Sequence, residues 1–417
     1  MLYRVLITIS IWLLVDFYAF HGLKTLTSKW NINSSTLIHW TYWGIDLFIL
    51  AVIFYYSFTG KFANGPGRQV GWVLAALMIS LVPKLVIISF LFVEDIGRIG
   101  FGIYAFLNNW LNDHKTINYL PERRKFVSQI AFGLAAIPFA GMIYGAVKGK
   151  YDFTVHKVKL RFRDLPEAFD GFTITQLSDI HSGSFDDPIA VRRGIELANS
   201  QESDLLVFTG DLVNNKADEM DDWMDHFSSL KAPFGKYSIL GNHDYGDYLP
   251  WPSEAAKKAN LDRLKQIQKE LGFRLLLNEH VRIEKGGQSI ALVGVENWGK
   301  KGFVKHGDLP KASEGISQGD FTILLSHDPS HWEAVTLQHE HHVHITLSGH
   351  THGMQFGIEI PGFKWSPSKY IYPQWAGLYK KDEKFLYVNR GFGFLGFPGR
   401  VGILPEITVI ELVKDRA

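Results

Sequence analysis

No cysteine occurs among the 417 residues, which excludes disulfides, thiolate nucleophiles and Cys-bound zinc but leaves the compartment open. Neither charge is in excess: Lys and Arg number 43 against 42 for Asp and Glu, a formal net charge of +1. No global field therefore invites nucleic acid, and with no basic stripe interleaved with aromatics a nuclease is not expected. Repeats and low-complexity tracts are missing as well. So is a small-residue cleavage site after the first apolar run, although Arg4 ahead of that run gives it the look of a signal peptide.

What is present is unevenly spread. Residues 2–20, 38–58, 70–93 and 126–147 are apolar stretches, each approaching the ~20 residues that cross a bilayer core. They predict four transmembrane helices within residues 1–150. Trp40, Tyr42, Trp43, Tyr55, Tyr56 and Trp72 lie near the span ends, where amphipathic rings favour the headgroup region. Four spans put both ends on one side, together with Arg4, Lys61, Arg68, Lys148, Lys150, Lys157, Lys159, Arg161 and Arg163. Opposite them stand Lys24, Lys29, Arg98, Lys115, Arg123, Arg124 and Lys125. Nine basic residues against seven favour a cytoplasmic domain on a multi-pass protein of the cytoplasmic (inner) membrane. Asp16, Asp46 and Lys84 fall inside spans, with Lys84 directly after Pro83. They read either as an intramembrane ion pair or as a polar pocket for a lipid headgroup.

From residue 151 to residue 417 the character changes to a layered α/β domain, an α+β sandwich carrying its loops at one edge. Strands are predicted at 172–177, 204–208, 235–240, 289–295, 321–325 and 343–347, and helices at 189–200, 221–230 and 253–271. Fourteen of the 17 histidines lie in this part, from His156 onward.

The apolar run from Leu205 to Phe208 stops at Thr209-Gly210-Asp211, so a buried strand delivers one carboxylate to the loop beyond its C-terminal end, where ligands sit in open α/β sheets. Other apolar runs also end at Asp, Asn or His: Asp179-Ile180-His181, Gly241-Asn242-His243-Asp244, Ser326-His327-Asp328 and Ser348-Gly349-His350-Thr351-His352-Gly353. Alternate residues of an extended segment face one way, so Asp179 and His181 can address one ion. Asp211 is read as the carboxylate shared by two ions. His339, His341, His342 and His344 form a rival cluster without the glycine frame, and they read as structural.

These five motifs in this order resemble the calcineurin-like metallophosphoesterase superfamily, whose pattern is D-x-H, G-D, G-N-H-D, a lone H and G-H-x-H. The resemblance implies one metal on Asp179, His181, Asp211 and His352 and a second on Asp211, Asn242, His327 and His350. His243 stays unligated beside the phosphoryl group, and His243 and Asp211 are the catalytic pair. An N and O donor set suits two divalent ions, Mn, Fe, Zn or Mg, which clamp the oxygens of an in-line displacement by a metal-bound hydroxide. One departure stands out: Met354 precedes Gln355 where relatives usually have a second glycine.

The membrane spans narrow the resemblance to bacterial membrane-associated phosphodiesterases that cleave phosphodiester or pyrophosphate bonds of lipid-linked substrates such as UDP-2,3-diacylglucosamine. Phe392, Phe394 and Phe397 in the glycine-rich stretch 391–399 are expected either to hold an acyl chain or to fold back onto the core. The implied function is a membrane-anchored phosphodiesterase acting on a lipid-linked or nucleotide-linked substrate. The alternatives are a phosphoesterase for soluble substrates merely tethered by its helices, and a catalytically dead membrane sensor.

Overall fold

The computed structural model describes residues 2–61, 67–112, 121–300 and 302–416, by backbone alone at 2–6, 8, 112 and 121. Lys115 and the Arg4 side chain, both counted above, lie outside the described residues. The chain divides into two compact units: Met1–Gly60 with Val73–Tyr144, and Lys61–Trp72 with Gly145–Ala417.

Four helices precede the sheets: α1 (Leu2–Thr27), α2 (Ile32–Phe58), α3 (Arg68–Asn112) and α4 (Pro121–Val147). The segments Ile32–Phe58, Arg68–Leu111 and Glu122–Val147 are long and apolar enough to cross a membrane. α3 runs well past the expected end at residue 93. At 45 residues it is about 68 Å long, roughly twice the bilayer core. Glu94 and Asp95 interrupt the apolar run without ending it, since Ile96, Ile99, Phe101, Ile103, Phe106 and Leu107 continue it, and both carboxylates meet Arg124 of α4, at 2.5 and 2.6 Å. Within the first unit Lys84 Nζ donates to Asp16 Oδ1 (2.7 Å), Asp46 Oδ2 (2.5 Å) and Ser80 Oγ (2.7 Å). The three charges expected inside spans are thus one buried ion cluster.

The second unit is a sandwich of two six-stranded sheets. One has the order β1 (Thr154–Phe162), β14 (Glu406–Lys414), β2 (Thr173–Leu177), β3 (Leu205–Phe208), β4 (Lys236–Ser238), β5 (Phe273–Leu275). The other runs β12 (Gly377–Lys381), β13 (Lys384–Val388), β9 (Ile345–Ser348), β8 (Thr322–Leu325), β7 (Gln288–Gly294), β6 (Glu279–Lys285). Period-two alternation decides what each face buries: Leu205 and Val207 of β3 join Ile323, Leu325, Ile345 and Leu347 between the sheets. Leu206 and Phe208 turn outward, to Val191 and Ile195 of α5 (Pro188–Asn199) and to Leu264 and Ile267 of α7 (Glu254–Glu270). The helix expected over 221–230 is a short turn, Ala217–Trp223, followed by α6 (Met224–Ser228). β10 (Ile358–Ile360) and β11 (Phe363–Trp365) form a separate antiparallel hairpin.

The sandwich puts the loop-bearing strand ends together. β2, β3 and β4 are mutually parallel, as are β8 and β9, so their C-terminal ends open on shared sheet edges.

Candidate metal centre

Each expected ligand sits in the first few residues after one of those strands: Asp179 and His181 after β2, Asp211 after β3, Asn242 after β4, His327 after β8, and His350 and His352 after β9. The turns are sharp. Asp179, His181, Asp211, His350 and His352 all have positive φ, between 49° and 71°, a region that costs non-glycine residues energy and clusters at functional sites. Two glycines allow the close approach. A Cβ at Gly241 would fall on the Asp211 carboxylate, and one at Gly349 on Ser178 Oγ and Asp179.

The side chains gather in two groups, Asp179 with His181 and His352, and Asp211 with His327 and His350. In the first, His352 Nε2 lies 3.2 Å from Asp179 Oδ1 and 3.0 Å from His181 Nε2. In the second, His327 Nε2 is 3.1 Å from Asp211 Oδ2, and His350 Nδ1 is 2.8 Å from Asn242 Oδ1. Asp211 Oδ2 is also 3.6 Å from His181 Nε2, so this carboxylate reaches both groups.

The donor set fits divalent cations. Buried imidazole nitrogens aim at one another and at carboxylate oxygens, and His327 Nε2 finds no well-aligned hydrogen-bond partner. His327 Nδ1–H donates to Thr209 O (2.7 Å), which leaves Nε2 for ligation, as metal-binding imidazoles require. Burial would lower the His327 pKa, but the Asp211 carboxylate outweighs it and holds the ring above its ordinary value. Burial lowers His181 and His350 instead, keeping them in the neutral form a metal needs.

His243 belongs to neither group. Its ring Nδ1–H donates to Asn214 O (2.7 Å) and its backbone N–H to Asp211 Oδ1 (2.8 Å). Burial lowers its pKa, and the ring lines a cavity of about 410 Å³ together with Asp211, Asn242, Tyr248, Phe303 and Tyr372. A larger cavity, about 610 Å³, lies among the helices of the first unit beside Asp46 and Lys84. It holds neither ligand group.

Several supporting residues escaped sequence reasoning. Tyr248 Oη accepts from Asn242 Nδ2 (2.8 Å), which turns Oδ1 toward His350, and Tyr372 Oη meets His350 Nε2 (2.8 Å). Arg400 is fully buried and donates to His352 Nδ1 (3.2 Å). Asp244 accepts from the backbone of Asp211, Leu212 and Gly241. Burial, with the Asp211 charge behind it, pushes its pKa up to about 7. Only Asp244 had a signal, its place in Gly-Asn-His-Asp. Of the rival histidines, His344 serves structure: its Nε2 pairs with Asp164 (2.6 Å) and its Nδ1 accepts from Thr322 N (2.9 Å).

The aromatic stretch takes the second of its two readings at Phe392 and Phe394. Phe392 and Phe394 are buried among Tyr151, Phe185 and Phe227, so they fold onto the core and face no lipid.

Comparison with known proteins follows the same division. Residues 3–150 match the family described as a probable calcineurin-like phosphoesterase transmembrane domain, and residues 172–354 match calcineurin-like phosphoesterase. The chain is 30% identical over 304 residues to an uncharacterized metallophosphoesterase of Bacillus subtilis, YkuE, covering 70% of this chain and 97% of that one. It is 29% identical over 278 residues to a transmembrane protein with metallophosphoesterase domain of Danio rerio, covering 65% and 60%. With the UDP-2,3-diacylglucosamine pyrophosphatase LpxG of Chlamydia trachomatis the identity is 27% over 279 residues, covering 55% and 81%.

Proposed function

Because this chain belongs to the calcineurin-like metallophosphoesterase family, we propose that it is a dinuclear-metal phosphodiesterase that cleaves phosphodiester or pyrophosphate bonds of a lipid-linked or nucleotide-linked substrate. That it is a metal-dependent phosphoric ester hydrolase of a membrane follows from the family and the transmembrane domain. The division is residues 1–150 for the membrane region and 151–417 for the catalytic domain. The two ligand groups meeting at Asp211 carry the dinuclear reading. Asp179, His181, Asp211 and His352 would hold one divalent ion, and Asp211, Asn242, His327 and His350 the other. Bound there, the pair would supply Lewis acidity toward the phosphoryl oxygens and toward an attacking water.

The chain's own residues do the rest. Asp211 spreads one negative charge over both ion positions. Asp244 holds the Asp211 backbone in its turn. His243 is anchored through Nδ1, so Nε2 is the atom available to the cavity. An arriving phosphoryl anion opposes the effect of burial and favours the protonated ring. His243, protonated from solvent, then binds a phosphoryl oxygen as a cation and gives that proton to the leaving oxygen.

The similarity to the diacylglucosamine pyrophosphatase supports a lipid-linked substrate, and the balance of basic residues across the spans supports a catalytic domain on the cytoplasmic side of the cytoplasmic membrane. The test is a hydrolysis screen of the Mn²⁺-loaded full chain in detergent against bis-p-nitrophenyl phosphate, p-nitrophenyl phosphate and UDP-diacylglucosamine. Turnover of the diester and the lipid-linked pyrophosphate is expected. Turnover of the monoester alone would overturn the proposal.

A further inference from the structure

The β10–β11 hairpin shows solvent its apolar side chains while its charged ones are tied down. Its register pairs Ile360 with Phe363, Glu359 with Lys364 and Ile358 with Trp365, so Ile358, Ile360 and Phe363 share one face and Glu359 and Lys364 the other. A hairpin on a water-covered surface turns its charged face out. Here both strands are exposed, but the charged heads bend back onto the protein: Glu359 receives Arg390 Nη2 at 2.5 Å and Nε at 2.9 Å, and Lys364 Nζ donates to Ala376 O at 2.5 Å. The apolar face is outward, with Ile358 50% exposed, Ile360 58% and Phe363 52%. Tyr370 and Ile371 follow in the same segment, 72% and 46% exposed.

Two further observations say what this face meets. Gly357 N, at the hairpin base, donates to Val401 O (2.9 Å), and Arg400 N donates to Gly145 O (3.2 Å). Gly145 belongs to the last turn of α4, whose segment Glu122–Val147 is apolar enough to cross a membrane. The hairpin base is therefore bonded to the residue next to Arg400, whose backbone N–H meets Gly145, a residue of the hairpin's own compact unit in the last turn of α4. The segment carrying it is mildly basic: residues 354–384 hold five lysines against Glu359, Asp382 and Glu383, five minus three, or +2, with Lys364 turned back onto the protein and Lys380 paired to Glu383 at 2.9 Å. Apolar side chains beside lysines suit the headgroup region of an anionic bilayer.

We propose that the apolar face of β10–β11, with Tyr370 and Ile371, seats in the interface of an anionic lipid bilayer. Ile371 also lines the metal-centre cavity, so the seated face leads from the lipid surface to the cavity mouth. An amphiphilic substrate can then reach the metals without leaving the bilayer. That purpose rests on the lipid-linked reading above; the docking geometry does not.

The absence of cysteine makes a clean probe. Full-length Ile360→Cys carrying a nitroxide, in nanodiscs of phosphatidylcholine and phosphatidylglycerol in equal parts, should be relaxed by oxygen far more than by a water-soluble nickel complex. Ile189→Cys at the exposed start of α5 should report water, and the Ile360 signal should weaken in pure phosphatidylcholine. The same oxygen-to-nickel ratio at both positions in the anionic nanodisc overturns the proposal. Ile360→Ser combined with Phe363→Ser should leave hydrolysis of bis-p-nitrophenyl phosphate unchanged and slow an acylated phosphodiester in the same nanodisc by about tenfold. Equal losses on both substrates would make the hairpin a structural element and overturn it as well. If no acylated substrate is turned over by the unmodified chain, the lipid-linked reading fails, while the nitroxide measurement still decides the docking.

Discussion

Asp211 faces both ligand groups, and no other side chain there does so with one oxygen atom. Asp211→Asn keeps the shape and removes the shared negative charge. It should reduce bound metal from two ions toward none and abolish turnover, whereas His181→Ala or His327→Ala should each retain one ion. Elemental analysis of the purified variants checks this, and near-normal occupancy in Asp211→Asn would remove the bridge. His243 makes the contrasting case, since it lies outside both groups yet lines the cavity. His243→Ala should keep metal content and lower kcat on the order of 10²–10³-fold, the usual cost of losing one preorganised donor. Loss of metal instead would make His243 a ligand.

At the scale of elements, the same residue types serve opposite ends. Strand termini hold carboxylates and imidazoles that a proton or cation must bridge, whereas the helices bury their charges already paired. Asp16 and Asp46 flank Lys84 with its ammonium fully bonded. Lys84→Met would leave two buried carboxylates without a counter-charge, at a cost on the order of 3–5 kcal/mol. The thermal midpoint in detergent should fall sharply. It should recover when Asp16→Asn and Asp46→Asn are added, because removing a whole buried cluster costs less than breaking it. An unchanged midpoint in Lys84→Met would show that the cluster contributes nothing to stability.

For the whole molecule, one buried network ties the closing strand of the sandwich to the exposed hairpin. Glu406 of β14 accepts from Arg390 Nη1 (2.6 Å), whose other guanidinium nitrogens hold Glu359 of β10. Burial would raise the Glu406 pKa, but Arg390 outweighs it and holds the carboxyl down at about 2, against an ordinary 4.5. A carboxylate depressed by folding stabilises fully above its unfolded value and loses that contribution as pH falls. On the order of 3 kcal/mol should therefore disappear between about pH 4.5 and pH 2. Glu406→Gln should lower the midpoint at neutral pH and flatten its acid dependence. An acid slope equal to that of the unmodified chain would refute the assignment.

The sequence alone determined the apolar helices, the strand-ending motifs and which carboxylates and imidazoles follow the strands. Apolar length reports bilayer crossing, and each ligand lies within a few residues of a strand end, so local order carries the signal. What it left open depended on segments far apart in the chain. Tyr248, Tyr372 and Arg400 support Asn242, His350 and His352 from separate loops, and no local pattern marks them. Phe392 and Phe394 read as readily for lipid as for core, and the outcome followed from Tyr151, Phe185 and Phe227 closing over them. The alternation Ile358-Glu359-Ile360 gives the same two-faced strand whichever face is out. Only the tertiary structure, by placing Arg390 beneath Glu359, drew the charged head back onto the protein and left the apolar side chains exposed.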